Sequence, residues 1–272
     1  MIRAGVAALL TALAFAAHSQ ASVAFVADVR GNATIEGDGT LPFLHELNPG
    51  TRLLLGSGAT VAVTYGASGA EFTLKGPGEF LVEAREVRAE KGARPTRKAV
   101  TALPDPRVVA RASRTATASL RMRGISPQSE VKAALEYPVD TRVATLQPVL
   151  RWSGPGAEGS TVSILDAGGK EIWKGSATPG SARPPVKLVP GTAYRWTVTS
   201  PTGMLGEARF ETLSAPLVAK AERSRAAAKT FSERVLHALF LQDIGASQEA
   251  REAWAELARE RPDLPGLAAL SR

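Results

Sequence analysis

Hydrophobic and polar positions alternate with period two along residues 22–92. TVAVTY (60–65) puts Val61, Val63 and Tyr65 on one face. AEFTLK (70–75) sets Phe72 and Leu74 against Glu71, Thr73 and Lys75, and EFLVEA (79–84) repeats the pattern with Phe80, Val82 and Ala84. Such alternation predicts strands with one buried face. Glycine-bearing turns punctuate the strands at 37–39, 48–51, 66–69 and 76–78. In NPGT (48–51), Pro49 presets its own φ and Gly50 supplies a positive one, the chemistry of a type II turn. The prediction is a small antiparallel barrel or sandwich.

The alternation stops after residue 92 and resumes over 137–213. PVLRW (148–152) pairs Leu150 with Trp152 against Val149 and Arg151, and TVSIL (161–165) pairs Val162 with Ile164. Tyr194, Trp196 and Val198 share a face, and Phe210 closes the unit. By parity Trp152 and Trp196 belong to a core. Trp173 follows the turn DAGGKE between Ile172 and Lys174, so its face is ambiguous. It is the one tryptophan of the three kept as a candidate contact residue.

Residues 214–272 change to helical spacing. Ser214 is an expected cap, with Pro216 in the first turn. Leu217, Ala221, Ala228, Phe231, Val235 and Leu239 recur at mostly three-, four- and seven-residue intervals, predicting one helix up to Gly245. Ser247 is the expected cap of a second helix, with Glu249 and Glu252 near its positive end and Ala250, Trp254, Leu257 and Ala258 as its stripe. Pro262 ends it.

Three resemblances follow from these residues. VADVRGNATI, LNPGTRLLLGSGATVAVTY and EFTLKGPGEFLV resemble the FecR-type periplasmic domain family over about 23–92. This implies a β-rich domain outside the cytoplasmic membrane. In the best-known members it hangs from a membrane helix and relays a signal to a sigma factor; no spanning helix is expected here, so the resemblance bears on fold and location. LVPGTAY (188–194), with Pro148 and Trp152 upstream, resembles the fibronectin type III family, which implies a two-sheet sandwich with a corner tyrosine. The stretch LFLQDIGASQEAREAWAELARERPDLPGL resembles one tetratricopeptide-type helical hairpin. One such repeat cannot bury its own face. Either it packs on the sandwich or on itself, or its groove receives a partner.

The expected fold class is therefore mainly β and multi-domain: a small antiparallel β domain (22–92), a basic proline-containing linker (93–136), a fibronectin-III-like sandwich (137–213) and a C-terminal helical hairpin (214–272). Residues 1–21 read as a cleavable signal, with Arg3, an uncharged run from Ala4 to Ala17, and small residues Ser19 and Ala21 before the cut. The run is short for a bilayer span, which needs roughly 20 apolar residues. Export to the periplasm is expected, with secretion as the alternative.

Charge sharpens this picture at one place. Arg94, Arg97, Lys98, Arg107, Arg111, Arg114, Arg121 and Arg123 face only Asp105 within 93–129, as much excess as the +7 of the whole chain. The segment reads as a solvated linker, or as a basic strap for anionic lipid, glycan or nucleic acid. It lacks the aromatics on which bases stack, so no nucleic-acid partner is expected. TATASLRMR (115–123) alternates as one strand would.

There is no cysteine, which removes disulfides and thiol catalysis. His18, His45 and His237 show no metal-binding spacing, and His237 is expected at the surface or edge of its helix. No GxSxG elbow or phosphate loop occurs. No catalytic, cofactor-binding or metal residue is assigned, and no enzyme is expected. The expected function is a non-catalytic adaptor or sensory scaffold of the bacterial envelope, working by protein–protein contact with another envelope protein. The alternative is a module that binds peptidoglycan or another glycan.

Overall fold

A computed structural model of the protein describes residues 22–100, 103–118, 134–154, 159–176 and 180–272. The expected signal lies outside them. Ten strands form the N-terminal unit: β1 (Ala24–Arg30), β2 (Ala33–Ile35), β3 (Gly39–Thr40), β4 (Glu46–Leu47), β5 (Arg52–Leu55), β6 (Thr60–Tyr65), β7 (Ala70–Lys75), β8 (Gly78–Val82), β9 (Val87–Lys91) and β10 (Thr96–Ala99). They make two antiparallel five-stranded sheets, ordered β10-β7-β6-β1-β4 and β3-β2-β5-β8-β9. The expected inward residues Val61, Val63, Tyr65, Phe72, Leu74, Phe80 and Val82 are buried. Ala84 is corrected: β8 ends at Val82, and Ala84 is exposed in the turn that follows. NPGT turns as its residues dictate: Gly50 has φ +90° and the Thr51 N–H donates to Asn48 O at 3.2 Å.

The first sheet departs from the one-face expectation. Phe25, Ala62, Thr64 and Glu71, on its outer side by register, are buried as well. The C-terminal helices cover them.

The segment expected as a basic linker is partly folded onto this unit. Strand β10 pairs with β7, and helix α1 (Pro106–Ala118) packs against the C-terminal helices. Pro106 does not interrupt this helix; it begins it, where a missing N–H costs nothing. The strand expected over 115–123 is corrected for 115–118, which form the last turn of α1; 119–133 lie outside the described residues.

The second β unit is a sandwich of β11 (Ala134–Tyr137), β12 (Thr141–Val143), β13 (Leu150–Ser153), β14 (Thr161–Asp166), β15 (Glu171–Ser176), β16 (Ser181–Ala182), β17 (Ala193–Ser200) and β18 (Gly203–Thr212). One sheet is β11-β13-β16 and the other β12-β18-β17-β14-β15. Trp152 and Trp196 are buried between them, 6.4 Å apart centroid to centroid. The indole N–H of Trp196 donates to Pro138 O at 2.8 Å. The Tyr194 hydroxyl accepts the Val189 N–H at 2.9 Å, pinning the turn to β17.

The tail is four helices rather than a hairpin: α2 (Ala215–Ala227), α3 (Phe231–Asp243), α4 (Ser247–Glu260) and α5 (Pro265–Leu270). The single helix expected before Gly245 breaks at 228–230. A capping box starts α3 there: the Thr230 hydroxyl accepts the Glu233 N–H at 3.3 Å, and the Glu233 carboxylate accepts the Thr230 N–H at 2.8 Å. Gly245, at φ +81°, ends α3 as expected. Ala246, rather than Ser247, is the cap of α4.

The apolar side of α3, Trp254 and Leu257 of α4, and the inner face of α5 share one core with the N-terminal unit. Phe240, Leu241, Ile244 and Ala250 form a second core with Ala144 and Leu213 at the base of the sandwich. The tail therefore packs on the N-terminal sheet and on the sandwich at once. The reading in which its groove stands open for a partner is corrected: the groove is filled from within the chain.

Candidate functional site

Three polar nodes hold the tail to the two β units. In the first, Glu71 is 1% exposed on β7. Lys98 of β10 lies 3.0 Å from Glu71 and 2.9 Å from Glu233 of α3, and the Ser232 hydroxyl donates to Glu71 at 3.0 Å. Burial alone would raise the Glu233 carboxyl, but Lys98 and the Thr230 and Lys229 N–H groups hold it down at about 2. In the second node, Arg261, 8% exposed, pairs with Asp28 of β1 and with Asp263, each at 2.7 Å, and lies over the Phe231 ring. In the third, Glu249 accepts the Tyr137 hydroxyl at 2.7 Å and the Ala144 N–H at 3.0 Å. Burial pushes the Glu249 carboxyl above its ordinary value, against the pull of those bonds and of Arg225. Sequence reading assigned Glu249 to its helix's positive end; its longer reach to the sandwich has no signal in the chain order.

These nodes are structural, because Glu71, Glu233, Asp28 and Glu249 are each bonded by a partner from another element. His237, expected at a surface or edge, is half-buried at the edge of α3 that faces α2. Its Nδ1 lies 3.0 Å from the Ser224 hydroxyl, and burial, with Arg225 nearby, pushes its imidazole down to about 4. Among the described residues no cluster of three His, Asp or Glu side chains is arranged for a metal ion.

Trp173 is half-buried. A strand irregularity between Ile164 and Leu165 lets both Ile172 and Trp173 touch the sandwich core, and the indole lies along its own strand above Gly175. Every other described aromatic side chain is buried. The only large apolar side chains left exposed among the described residues are Val189 and Met204.

An open cleft of about 800 Å³ lies where the five-stranded sheet of the sandwich meets the turn between α3 and α4. Arg142, Arg195, Arg209, Asp166, Glu211 and Ser247 contribute to its lining. The strands place these side chains: odd positions of β17 and β18 face out, so Arg195 and Arg209 stand directly opposite each other. Like charges facing across a strand pair destabilise it. Arg142 is paired with Glu211 at 3.4 Å and Arg195 with Glu207 at 3.5 Å, both pairs partly exposed. Asp166 is committed to its own turn, accepting the Gly168 and Lys170 N–H groups at 2.9 and 3.0 Å. Arg209 has no carboxylate within ion-pair distance among the described residues. The cleft thus offers three guanidinium groups, of which Arg209 alone has no carboxylate partner among the described residues. Alternation along 194–198 sets Arg195 opposite the buried face, but its register with Arg209 is a property of the fold.

Comparison with known proteins leaves the family open. No protein-family model matches the chain, and no curated protein matches it. Among solved structures, CopC from Methylosinus trichosporium OB3b is 22% identical over 32% of this chain and 96% of that one, with a TM-score of 0.24. The BSP domain of a biofilm associated protein is 14% identical over 72% of this chain, with a TM-score of 0.24; this chain spans 26% of that one. Overlap at this level assigns neither a fold family nor a ligand.

Proposed function

We propose that this chain is a non-catalytic, exported scaffold of the bacterial envelope that holds a partner protein through a carboxylate-bearing segment in the junction cleft. The observation that carries the reading is the Arg195–Arg209 pair. Two adjacent guanidinium forks suit a carboxylate, which accepts parallel N–H bonds, and a bound anion would relieve their mutual repulsion. The FecR-type and fibronectin-III likenesses fit an exported binding protein. The three-plus-five strand order and the Tyr194–Val189 bond support the second likeness. The two β units, joined by one helical clasp, suit a scaffold better than a pair of independent binders.

The test is cross-linking of the tagged protein in intact cells, in parallel with R195Q/R209Q. Deleting 214–272 would not serve, because Phe231 and Trp254 are core residues. The expected result is one envelope protein captured by the parent chain and lost with R195Q/R209Q. Capture that the variant leaves unchanged would overturn the cleft as the docking element. Recovery of cell-wall fragments without a specific protein would replace the adaptor with the glycan-binding alternative.

A further inference from the structure

The basic segment acquires a surface once α1 is seen. Val109, Ala112 and Ala116 are buried on one side of this helix, and Arg107, Arg111 and Arg114 are exposed on the other. Spacings of four and three put the arginines in one row, about 10 Å long at 1.5 Å per residue. The row cannot turn inward. A Cβ on Gly266 of α5 would lie 2.7 Å from the Ala116 Cβ, so the two helices touch at their smallest residues and fix the rotation of α1.

The arginines also lack neutralising neighbours. None of the three makes an ion pair among the described residues. The nearby carboxylates are committed elsewhere: Asp105 accepts the Arg107 backbone N–H at 2.7 Å, and Asp243 accepts the Asp105 N–H at 3.2 Å. Helix α5 carries no charged residue. Of the eight basic residues concentrated between 94 and 123, only Lys98 is ion-paired among the described residues. The other exposed positions of α1 are Pro106, Thr115 and Thr117, with no aromatic ring on which a sugar could stack.

We propose that the α1 arginine row docks the protein on an anionic phospholipid surface. A row of point charges without a pocket matches an array of headgroup phosphates better than one discrete ligand. The apolar side of α1 is already buried in the core, so the helix lies on the headgroups without inserting. Binding is then electrostatic and falls steeply with salt, because the screening length shrinks to about 10 Å at 0.1 M. This site is separate from the cleft, and its failure leaves the cleft reading intact.

The experiment is sedimentation of the mature chain with vesicles of phosphatidylcholine and phosphatidylglycerol, in a ratio of roughly 2:1, at low salt, beside vesicles of phosphatidylcholine alone. Each basic residue near an anionic surface contributes about a five-fold gain in partition, so R107Q/R111Q/R114Q is expected to lose about a hundred-fold. K170Q/R183Q/K187Q removes the same charge from exposed positions of the sandwich and is expected to stay within about two-fold of the parent. Should the first variant fail to fold by circular dichroism, Arg111→Gln alone is expected to lose about five-fold. The proposal is overturned if the parent ignores phosphatidylglycerol, if the sandwich variant loses as much, or if alginate captures the protein while vesicles do not.

Discussion

Strands β6 and β17 carry the same period-two pattern and meet opposite fates. On β6 every residue from Val61 to Tyr65 is buried. On β17, Tyr194, Trp196 and Val198 are buried while Arg195 and Thr197 reach solvent. The cause is what lies outside each sheet. Helix α3 and the Arg261 corner cover the outer face of the N-terminal sheet, whereas the outer face of the sandwich ends in the open cleft. The N-terminal unit borrows part of its core from residues about two hundred positions away. The sandwich closes its own core with Trp152, Trp196 and Phe210. The borrowed core is also why the tail belongs to the fold.

The sharpest way to break this comparison is to separate the units. Residues 134–213 expressed alone are expected to melt cooperatively. Residues 22–100 alone are expected to lack a cooperative transition, because Phe25 and Glu71 would face water without their cover. A cooperative melt of 22–100 would end the idea of a borrowed core.

Single substitutions divide the two cores next. Trp152→Ala and Trp254→Ala are each expected to cost about 3–5 kcal/mol. Hydrogen exchange should localise the loss of protection to the sandwich for Trp152→Ala. For Trp254→Ala it should extend to β1 and β6. Loss confined to the helices in the second variant would show the clasp to be weaker than its packing suggests.

Acid probes the same clasp. His237 and Glu233 both titrate lower folded than unfolded, so their stabilisation is complete above the unfolded values of 6.5 and 4.5. It is lost as pH falls, between 6.5 and about 4 for His237 and between 4.5 and about 2 for Glu233. Glu249 has the opposite sign: its raised carboxyl takes up a proton more readily folded, so acid relieves strain at that node. Melting temperature against pH should therefore fall below 6.5, and His237→Gln should flatten the first part of that fall. An unchanged profile in the variant would remove His237 from the account.

The smallest effect tests the joint between α2 and α3. Thr230→Ala removes one side of the capping box and is expected to cost about 1 kcal/mol by denaturant melt. No change would mean that Glu233, held by Lys98, starts α3 unaided.

Much of this was legible in the chain order, because it depends on near neighbours. Parity assigned Trp152 and Trp196 to a core, Gly50 marked its turn, and Gly245 marked a helix end. The Thr230–Glu233 box was legible too, but the longer apolar spacing around it masked the break. Other features had no local signal. Glu71 sits at a polar position of an alternating strand, and Lys98 and Ser232, arriving from β10 and α3, join Thr64 of β6 in making its burial tolerable. Trp173 stayed ambiguous because an irregularity in the neighbouring strand decides where its ring lies. The basic segment reads as a linker because eight charges dominate its composition; Val109, Ala112 and Ala116 are a thin stripe whose meaning depends on α5.

By itself the sequence determined the β-rich class, the inward faces of both units and the concentration of charge between 94 and 123, since these rest on periodicity and composition. The tertiary structure decided which faces are covered, which charges are paired and which arginines stand together. Those outcomes depend on contacts beyond near neighbours, from the strand register that sets Arg195 opposite Arg209 to the Ser232–Glu71 bond across 161 positions, where burial energy, register and helix rotation act together.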